Sequence, residues 1–250
     1  MRTETFSTPG KVKLEISLPS GDVDLETVPG ETTTVELEVQ GRDGEEHERD
    51  TEIAMRQRGD RYEVVVAAAK NRGFNFIRGR DYRLRVTSPP DTDVEAKIAS
   101  ADVEGRGRFG DVRIQTASGD VELEDVGGLV RIDAASGDVR VERAGSLKLN
   151  SASGDVKVDD LLHGGDVNTA SGDVELKTVR EGALKLNSAS GDIEVGIAKG
   201  SRLWVEAQSL SGDTSSDIDL EAGATIESDE GPLVELTART LSGDIAVRRA

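Results

Sequence analysis

Aliphatic and polar positions alternate through residues 93–250 in a repeat marked by the tripeptide Ser-Gly-Asp. Successive copies lie about 18 residues apart, and the first of them has Ala in place of Gly. A fixed period of this size is typical of a solenoid, in which each repeat forms one coil. The repeat aspartates are Asp102, Asp120, Asp138, Asp155, Asp173 and Asp192, and outlying copies of the tripeptide end at Asp22, Asp213 and Asp244.

Each repeat contains two short apolar alternations. In the repeat around Asp155, one alternation precedes the aspartate with Leu147 and Leu149, and the other follows it with Val156 and Val158. A period of two predicts strands that place their aliphatic side chains on one face. Parallel connections are nearly always right-handed. The pattern therefore predicts an all-β protein, a right-handed parallel β-solenoid with about 18 residues and two short strands per coil.

Residues 1–92 also alternate but do not keep the repeat. They contain four apolar runs separated by turn signals, at residues 12–16, 34–39, 62–66 and 82–86, and a predicted loop over residues 71–76. The first coil of a solenoid has an open edge that other chains could pair with. We interpret residues 1–92 as a β-rich cap over that edge, with Ser20–Asp22 joining the coils. Residues 93–250 are then the solenoid domain, with an irregular C-terminal end.

Composition is consistent with this architecture. The chain is 35% hydrophobic and 3% aromatic, which suits coils that each bury a thin line of aliphatic side chains. A net charge of −18 argues against nucleic acid and anionic membranes as partners. There is no cysteine, so disulfides and thiolate metal sites are excluded.

Two columns of polar residues need a structural explanation. Five residues before each aspartate there is a ladder of mostly amide side chains: Gln115, Asp133, Asn150, Asn168, Asn187 and Gln208. Stacked amides hydrogen-bond from one coil to the next. The aspartates themselves are expected to accept backbone N–H bonds within their turns, with the glycine supplying a positive φ. Calcium is the alternative explanation for the aspartates, although one aspartate per coil lacks the paired ligands of calcium-binding nonapeptide solenoids.

No motif predicts catalysis, a cofactor or a metal. His47 and His163 are the only histidines, and they do not have ligand spacing. The Ser-Gly-Asp serines recur many times, whereas a nucleophilic serine is single and has a base beside it. Arg58-Gly59-Asp60 is interpreted as a hairpin turn. No cofactor is expected.

The N-terminus contains no signal-peptide core, and no apolar run reaches membrane-spanning length. We therefore expect no membrane insertion. As written, the sequence predicts a cytoplasmic protein. A surface or extracellular location is the expectation if a leader has been removed.

The repeats resemble those of a known bacterial family. Thr116–Val121, Asn150–Val156 and Asn187–Ile193 are similar to the Ala-Ser-Gly-Asp-Val repeats of the toastrack family of putative adhesins, β-strand-repeat proteins of unknown function. Ile98–Val103 followed by Gly107–Val112 resembles its actinobacterial members. The resemblance implies a β-solenoid with a link to adhesion or envelope-stress sensing, and it implies no catalytic residue.

The sequence thus favours a non-enzymatic, adhesin-like scaffold or interaction module with an unknown protein or glycan partner. Oligomers through the solenoid ends are compatible with it. Two alternatives stay open: a polysaccharide-active β-helix enzyme, and an acidic solenoid that mimics DNA. A deep cleft with two carboxylates would support the first, and a uniformly acidic outward column would support the second.

Trp204 is the single candidate interaction residue. It occupies an outward position between Leu203 and Val205, which parity directs inward. Tryptophan is enriched in binding hot spots. The competing interpretation is that residues 214–241 fold over Trp204 as part of a C-terminal cap.

Overall fold

The computed structural model of the chain describes residues 1–41, 43–68, 81–218 and 231–250. The predicted loop at residues 71–76 lies outside them. One helix and eighteen strands occur in the described residues. They are β1 (Arg2–Ser7), β2 (Lys11–Thr27), β3 (Thr32–Gln40), α1 (Gly44–Asp50), β4 (Glu52–Arg58), β5 (Arg61–Ala67), β6 (Asp81–Ser88), β7 (Thr92–Ser118), β8 (Val121–Ser136), β9 (Val139–Ser153), β10 (Val156–Leu161), β11 (Gly165–Ser171), β12 (Val174–Val179), β13 (Gly182–Ser190), β14 (Ile193–Ile197), β15 (Arg202–Ser211), β16 (Thr214–Ser216), β17 (Leu233–Ser242) and β18 (Ile245–Arg249).

The all-β class is confirmed, and the chain divides into two compact units, residues 1–127 and 128–250. The predicted domain boundary between residues 92 and 93 and the right-handed sense of the coils stay predictions. None of the described helical residues forms a segment long and apolar enough to span a bilayer.

In the unit of residues 1–127, β2 is the central strand. It pairs in parallel with β5, β6 and β7, and Asp22 lies beside Asp102. The first Ser-Gly-Asp copy therefore joins the coils, as predicted. Antiparallel strands complete this unit: β3 lies between β1 and β6, and β4 pairs with β5 across the predicted turn at Gly59.

In the unit of residues 128–250, the strands stack in register as parallel coils. Val156 pairs with Val139 on one side and with Val174 on the other. Val167 pairs with Leu149 and Leu186 in the same way. The aliphatic columns are fully buried from β9 to β14, so each of these coils does contribute two strands with inward aliphatic side chains. This confirms the predicted parallel β-solenoid.

The last coil of the chain does not follow the sequence order. β17 pairs with β13 on one side and β15 on the other, and β18 lies in the same way between β14 and β16. The coil of β17 and β18 is thus inserted between two coils that are consecutive in sequence. Consequently β15 and β16, rather than the C-terminal strands, lie at the end of the described stack.

Candidate interaction surface

The Ser-Gly-Asp turns are joined through their carboxylates. The Asp155 Oδ1 atom accepts the backbone N–H of Asp173 at 2.9 Å, and Asp173 Oδ1 accepts that of Asp192 at 2.8 Å. The ladder continues in spatial order through Asp244 to Asp213, at 2.7 Å and 2.8 Å. Each carboxylate therefore replaces a backbone carbonyl as the acceptor for the neighbouring coil. We expected the acceptors to serve their own turns, so this corrects the sequence interpretation.

The glycine of each turn is required by close stacking. Gly154 has a φ of 120°, and its N–H donates to the Ser171 carbonyl at 3.2 Å. A Cβ atom at position 154 would overlap the carbonyl oxygen of Gly137 in the adjacent coil. A φ of 120° already disfavours any residue other than glycine, and this overlap excludes a side chain as well. Hydrogen bonds between adjacent coils therefore continue through the turn, where the chain changes direction.

The amide ladder forms from Asp133 to Asn187, but Arg239 of the inserted β17 separates Asn187 from Gln208, so the predicted last step is wrong. Asn187 Nδ2 donates to Asn168 Oδ1 at 3.0 Å, and Asn168 Nδ2 donates to Asn150 Oδ1 at 3.1 Å. Asn150 Nδ2 in turn donates to Asp133 Oδ1 at 2.7 Å. Because these side chains hydrogen-bond to one another, their contribution to the stability of the stack explains why this column is polar.

The charged columns are mixed in sign and paired. Asp160 lies 2.8 Å from Arg180 and 3.5 Å from Arg143, so one carboxylate serves two coils. Its hydrogen bond raises the pKa of Arg180 above the ordinary value. Lys157 Nζ similarly lies 2.6 Å from Glu175. Pairs of this kind on an exposed face contribute at most about 1 kcal/mol each and leave little charge free for a ligand.

The unit of residues 1–127 contains a charged groove of about 520 Å³. Arg83 and Arg85 of β6 lie in it, 3.9 Å and 3.5 Å from Asp22 and Asp24 of β2. Further carboxylates line both sides of this group: Glu36, Glu38, Asp102 and Glu104. The two arginines interrupt the acidic surface, so the groove combines carboxylates with positive charge and is not a uniformly negative strip.

A second group of charges in this unit surrounds Lys13. Its Nζ atom lies 2.8 Å from Glu15 and 2.9 Å from Glu95, and these hydrogen bonds raise the pKa of Lys13. The hydrogen bond from Lys13 is the main cause of the lowered pKa of both carboxyl groups. The three groups therefore stay charged together over the neutral range and join β2 to β7.

The two histidines have different surroundings in the part of the chain that the structure describes. His163 Nδ1 is 2.9 Å from Glu181, and both side chains are exposed. His47 lies in α1, where its carbonyl oxygen accepts the N–H of Thr51. The described residues contain no group of three or more His, Cys, Asp or Glu placed to hold a metal ion.

Trp204 lies on the outward face of β15 with 54% of its surface exposed. Two further exposed residues lie near this end of the stack: Leu210 of β15, at 82%, and Leu241 of β17, at 59%. The register places Leu210 beside Leu241 on adjacent strands, since the residues flanking them pair. The last two coils thus carry three large exposed apolar side chains: Leu210 and Leu241 lie side by side, and Trp204 lies about 20 Å along β15 from Leu210.

The sequence analysis missed Leu210 and Leu241. Both occur three residues before the aspartate of their turn, where the copies ending at Asp120 to Asp192 have alanine: Ala117, Ala135, Ala152, Ala170 and Ala189. A comparison of this column would have found them. Their adjacency, however, depends on the insertion of β17 beside β15. No column reveals that insertion.

The stacked parallel strands and their hydrogen-bonded turns define a β-solenoid protein. Residues 12–248 match the model of the Toastrack family, DUF4097, and the chain belongs to this family. No curated protein matches the chain.

Solved structures share the fold at low sequence identity. A putative adhesin from Bacteroides fragilis NCTC 9343 is 12% identical, with a TM-score of 0.53, and the match covers 98% of this chain and 96% of that one. A putative adhesin from Parabacteroides merdae ATCC 43184 is also 12% identical, with a TM-score of 0.53 over 97% and 95% of the two chains. A third, from Parabacteroides distasonis ATCC 8503, is 12% identical with a TM-score of 0.52 over 100% and 96%. At this identity the likeness concerns the fold alone.

Proposed function

We propose that the chain is a non-enzymatic, adhesin-like interaction module that binds a macromolecular partner through the outward face of its last two coils. We call this face the end surface and define it by Trp204, Leu210 and Leu241. The observation that carries the proposal is the exposure of these three side chains on strands whose other outward positions are mainly polar.

Exposed apolar side chains cost solubility, so the presence of three large ones on two adjacent coils needs an explanation. Scattered single residues are normal on a protein surface, whereas grouped ones mark interaction sites. Leu210 and Leu241 lie on adjacent strands about 4.8 Å apart, and Trp204 lies on the same face of β15, about 20 Å along the strand from Leu210. Tryptophan is enriched in binding hot spots, and the adjacent Leu210 and Leu241 add exposed apolar surface on the same two coils.

The rest of the molecule suits a scaffold. Amides, carboxylates and ion pairs on the outward faces are engaged with neighbouring coils, as described above. Such a stack presents its end surface on a support of hydrogen-bonded coils. Membership of the toastrack family and the names of the structural neighbours favour an adhesin-like role outside the cell. Envelope-stress sensing is a narrower version of this role, in which the bound partner is a component of the envelope.

Site-specific photocrosslinking in the native cell tests the proposal. A photoreactive amino acid at position 204 should yield a covalent adduct with another macromolecule, whose mass spectrum distinguishes a protein from a glycan. Position 129 is the matched control, because Leu129 is also exposed, at 39%, and lies in the same unit but far from the end surface in sequence. Adducts at both positions in equal yield, or at neither, would contradict the proposal.

Purified partner then gives a quantitative check. Trp204→Ala should weaken binding by at least about 2 kcal/mol, roughly 30-fold, as hot-spot residues do. Stability should change by no more than about 0.5 kcal/mol, because the side chain is exposed.

A further inference from the structure

The end of the described stack has an unused strand edge. In the described residues β15 pairs only with β17, and β16 pairs only with β18. About half of the backbone N–H and C=O groups of β15 therefore point away from its neighbour. Such an edge is a template on which another strand can pair.

The apolar columns are also incompletely covered at this edge. Leu203, Val205 and Ala207 of β15 continue the inward columns, yet they are only half-buried. Leu184 and Leu186, which hold equivalent positions in β13, are fully buried. An added strand would cover the half-buried positions and remove more apolar surface from water.

Charge favours a second copy of this chain at this edge. The whole chain has a net charge of −18, so two copies repel each other over most of their surface. Residues 202–216 contain only Arg202, Glu206 and Asp213 as charged groups, which gives a formal charge of −1. Two copies can therefore approach through this segment at little electrostatic cost.

The outward face of β15 is self-complementary about Ala207. Trp204 and Leu210 are each three residues from Ala207, and Glu206 and Gln208 are each one residue from it. In an antiparallel pair of β15 strands centred on Ala207, Trp204 of one copy lies opposite Leu210 of the other. Glu206 then lies opposite Gln208, so an aromatic–aliphatic pair and a hydrogen-bonding pair each occur twice.

We propose that two copies of this chain associate through antiparallel pairing of their β15 strands, on a two-fold axis at Ala207. The inference rests on the proposed function, because it identifies one partner of the end surface as a second copy. The pairing is isologous and stops at two copies. It also places the end surfaces of the two copies, including both Leu241 side chains, in one assembly. Any further partner then meets two copies of the same surface, which makes its binding bivalent.

Light scattering coupled to gel filtration tests the stoichiometry. The full chain of 26.6 kDa should elute at twice that mass. The double variant Trp204→Lys/Leu210→Lys should shift to the monomer mass. In the proposed register it places a lysine at position 204 of each copy opposite a lysine at position 210 of the other, and these positive charges repel. Leu241→Lys is the matched control and should remain dimeric, since β17 is not the edge strand. Wild-type protein that is monomeric up to about millimolar concentration, or that forms open-ended polymers, would overturn the proposal.

Cysteine crosslinking tests the register without relying on a disruptive variant, since the chain has no cysteine of its own. Ala207→Cys should form an intermolecular disulfide on oxidation, because opposed residues in an antiparallel pair have Cα atoms about 4.5–5.5 Å apart. Val205→Cys, on the same face, should not form one, because its counterpart lies about 13 Å along the partner strand. Equal crosslinking of the two variants would refute the register.

The two proposals fail in different ways. A monomeric protein whose adducts at position 204 contain another macromolecule overturns the dimer and keeps the proposed function. A dimer whose adducts at position 204 contain only this chain keeps the dimer and overturns the adhesin-like function.

Discussion

At the scale of single residues, the Ser-Gly-Asp turn explains why the repeat is so uniform. The aspartate accepts a backbone N–H from the next coil, and the glycine lies against the glycine carbonyl of the preceding one. Both roles concern contacts between coils, so one changed turn affects two neighbours. Stacking of the turns therefore restricts these two positions far more than an isolated turn would.

Gly154→Ala should accordingly be severely destabilising. Its φ of 120° is strained for any L-residue, at a cost of about 1–3 kcal/mol, and the overlap with the Gly137 carbonyl adds to that cost. Gly200→Ala is the control within the same unit, because Gly200 has a φ of 84° but open space around its Cβ position. Urea unfolding should show a loss several-fold larger for Gly154→Ala. Similar losses would mean that the turns do not stack closely.

Sequence reasoning predicted the residues of this turn but only half of their chemistry. The positive φ of the glycine follows from general turn preferences. The carboxylate acceptor in the neighbouring coil does not, because a pattern along one chain cannot show which adjacent turn an atom faces. The amide ladder of Asn150, Asn168 and Asn187 was predictable. Amide side chains at the same position of successive coils hydrogen-bond to one another whenever the repeat keeps that position in register.

At the scale of strands, register matters more than the average period. Val139 pairs with Val156, 17 residues later, whereas Val174 pairs with Ile193, 19 residues later. Coils of different length nevertheless keep their columns aligned, because the differences are absorbed between the two strands of a coil. A coil is thus a removable unit as long as its own length is respected.

Deleting residues 139–155 should leave a folded protein, because Val156 then takes the place of Val139 and every inward column stays in phase. Deleting residues 139–147 should unfold the unit of residues 128–250, because it puts one strand of the coil where the other belongs. Circular dichroism and thermal melting distinguish the two variants. The two-strand coil would be wrong if both variants melted alike.

The order of the last coils could not be predicted from the sequence. β15 and β17 carry the same kind of inward column, with Leu203, Val205 and Ala207 in one and Val234, Leu236 and Ala238 in the other. Either strand could therefore follow β13 on packing grounds. The delay of the last Ser-Gly-Asp to residues 242–244 indicated an irregular end, but only the pairing of β17 with both neighbours shows the insertion.

At the scale of the whole chain, periodicity determined the fold class, and the family match agrees with it. Solenoids are predictable in this way because each coil contacts only its neighbours, so local patterns carry the architecture. The interaction residues are less predictable, because they depend on which coil is last. Trp204 could be proposed because it is the only tryptophan and occupies an outward position, whereas the adjacency of Leu210 and Leu241 required the strand order.

The fluorescence of Trp204 tests the central claim, that the end surface is open in the free chain and covered on association. It is the only tryptophan, so no substitution is needed. Acrylamide is the appropriate quencher, because it is neutral and is not repelled by a chain of charge −18. We predict a red-shifted, readily quenched emission in dilute protein, and a blue shift with weaker quenching as the concentration rises or partner is added. A blue-shifted emission that resists acrylamide at every concentration would contradict the account, because Trp204 would then be buried within its own chain.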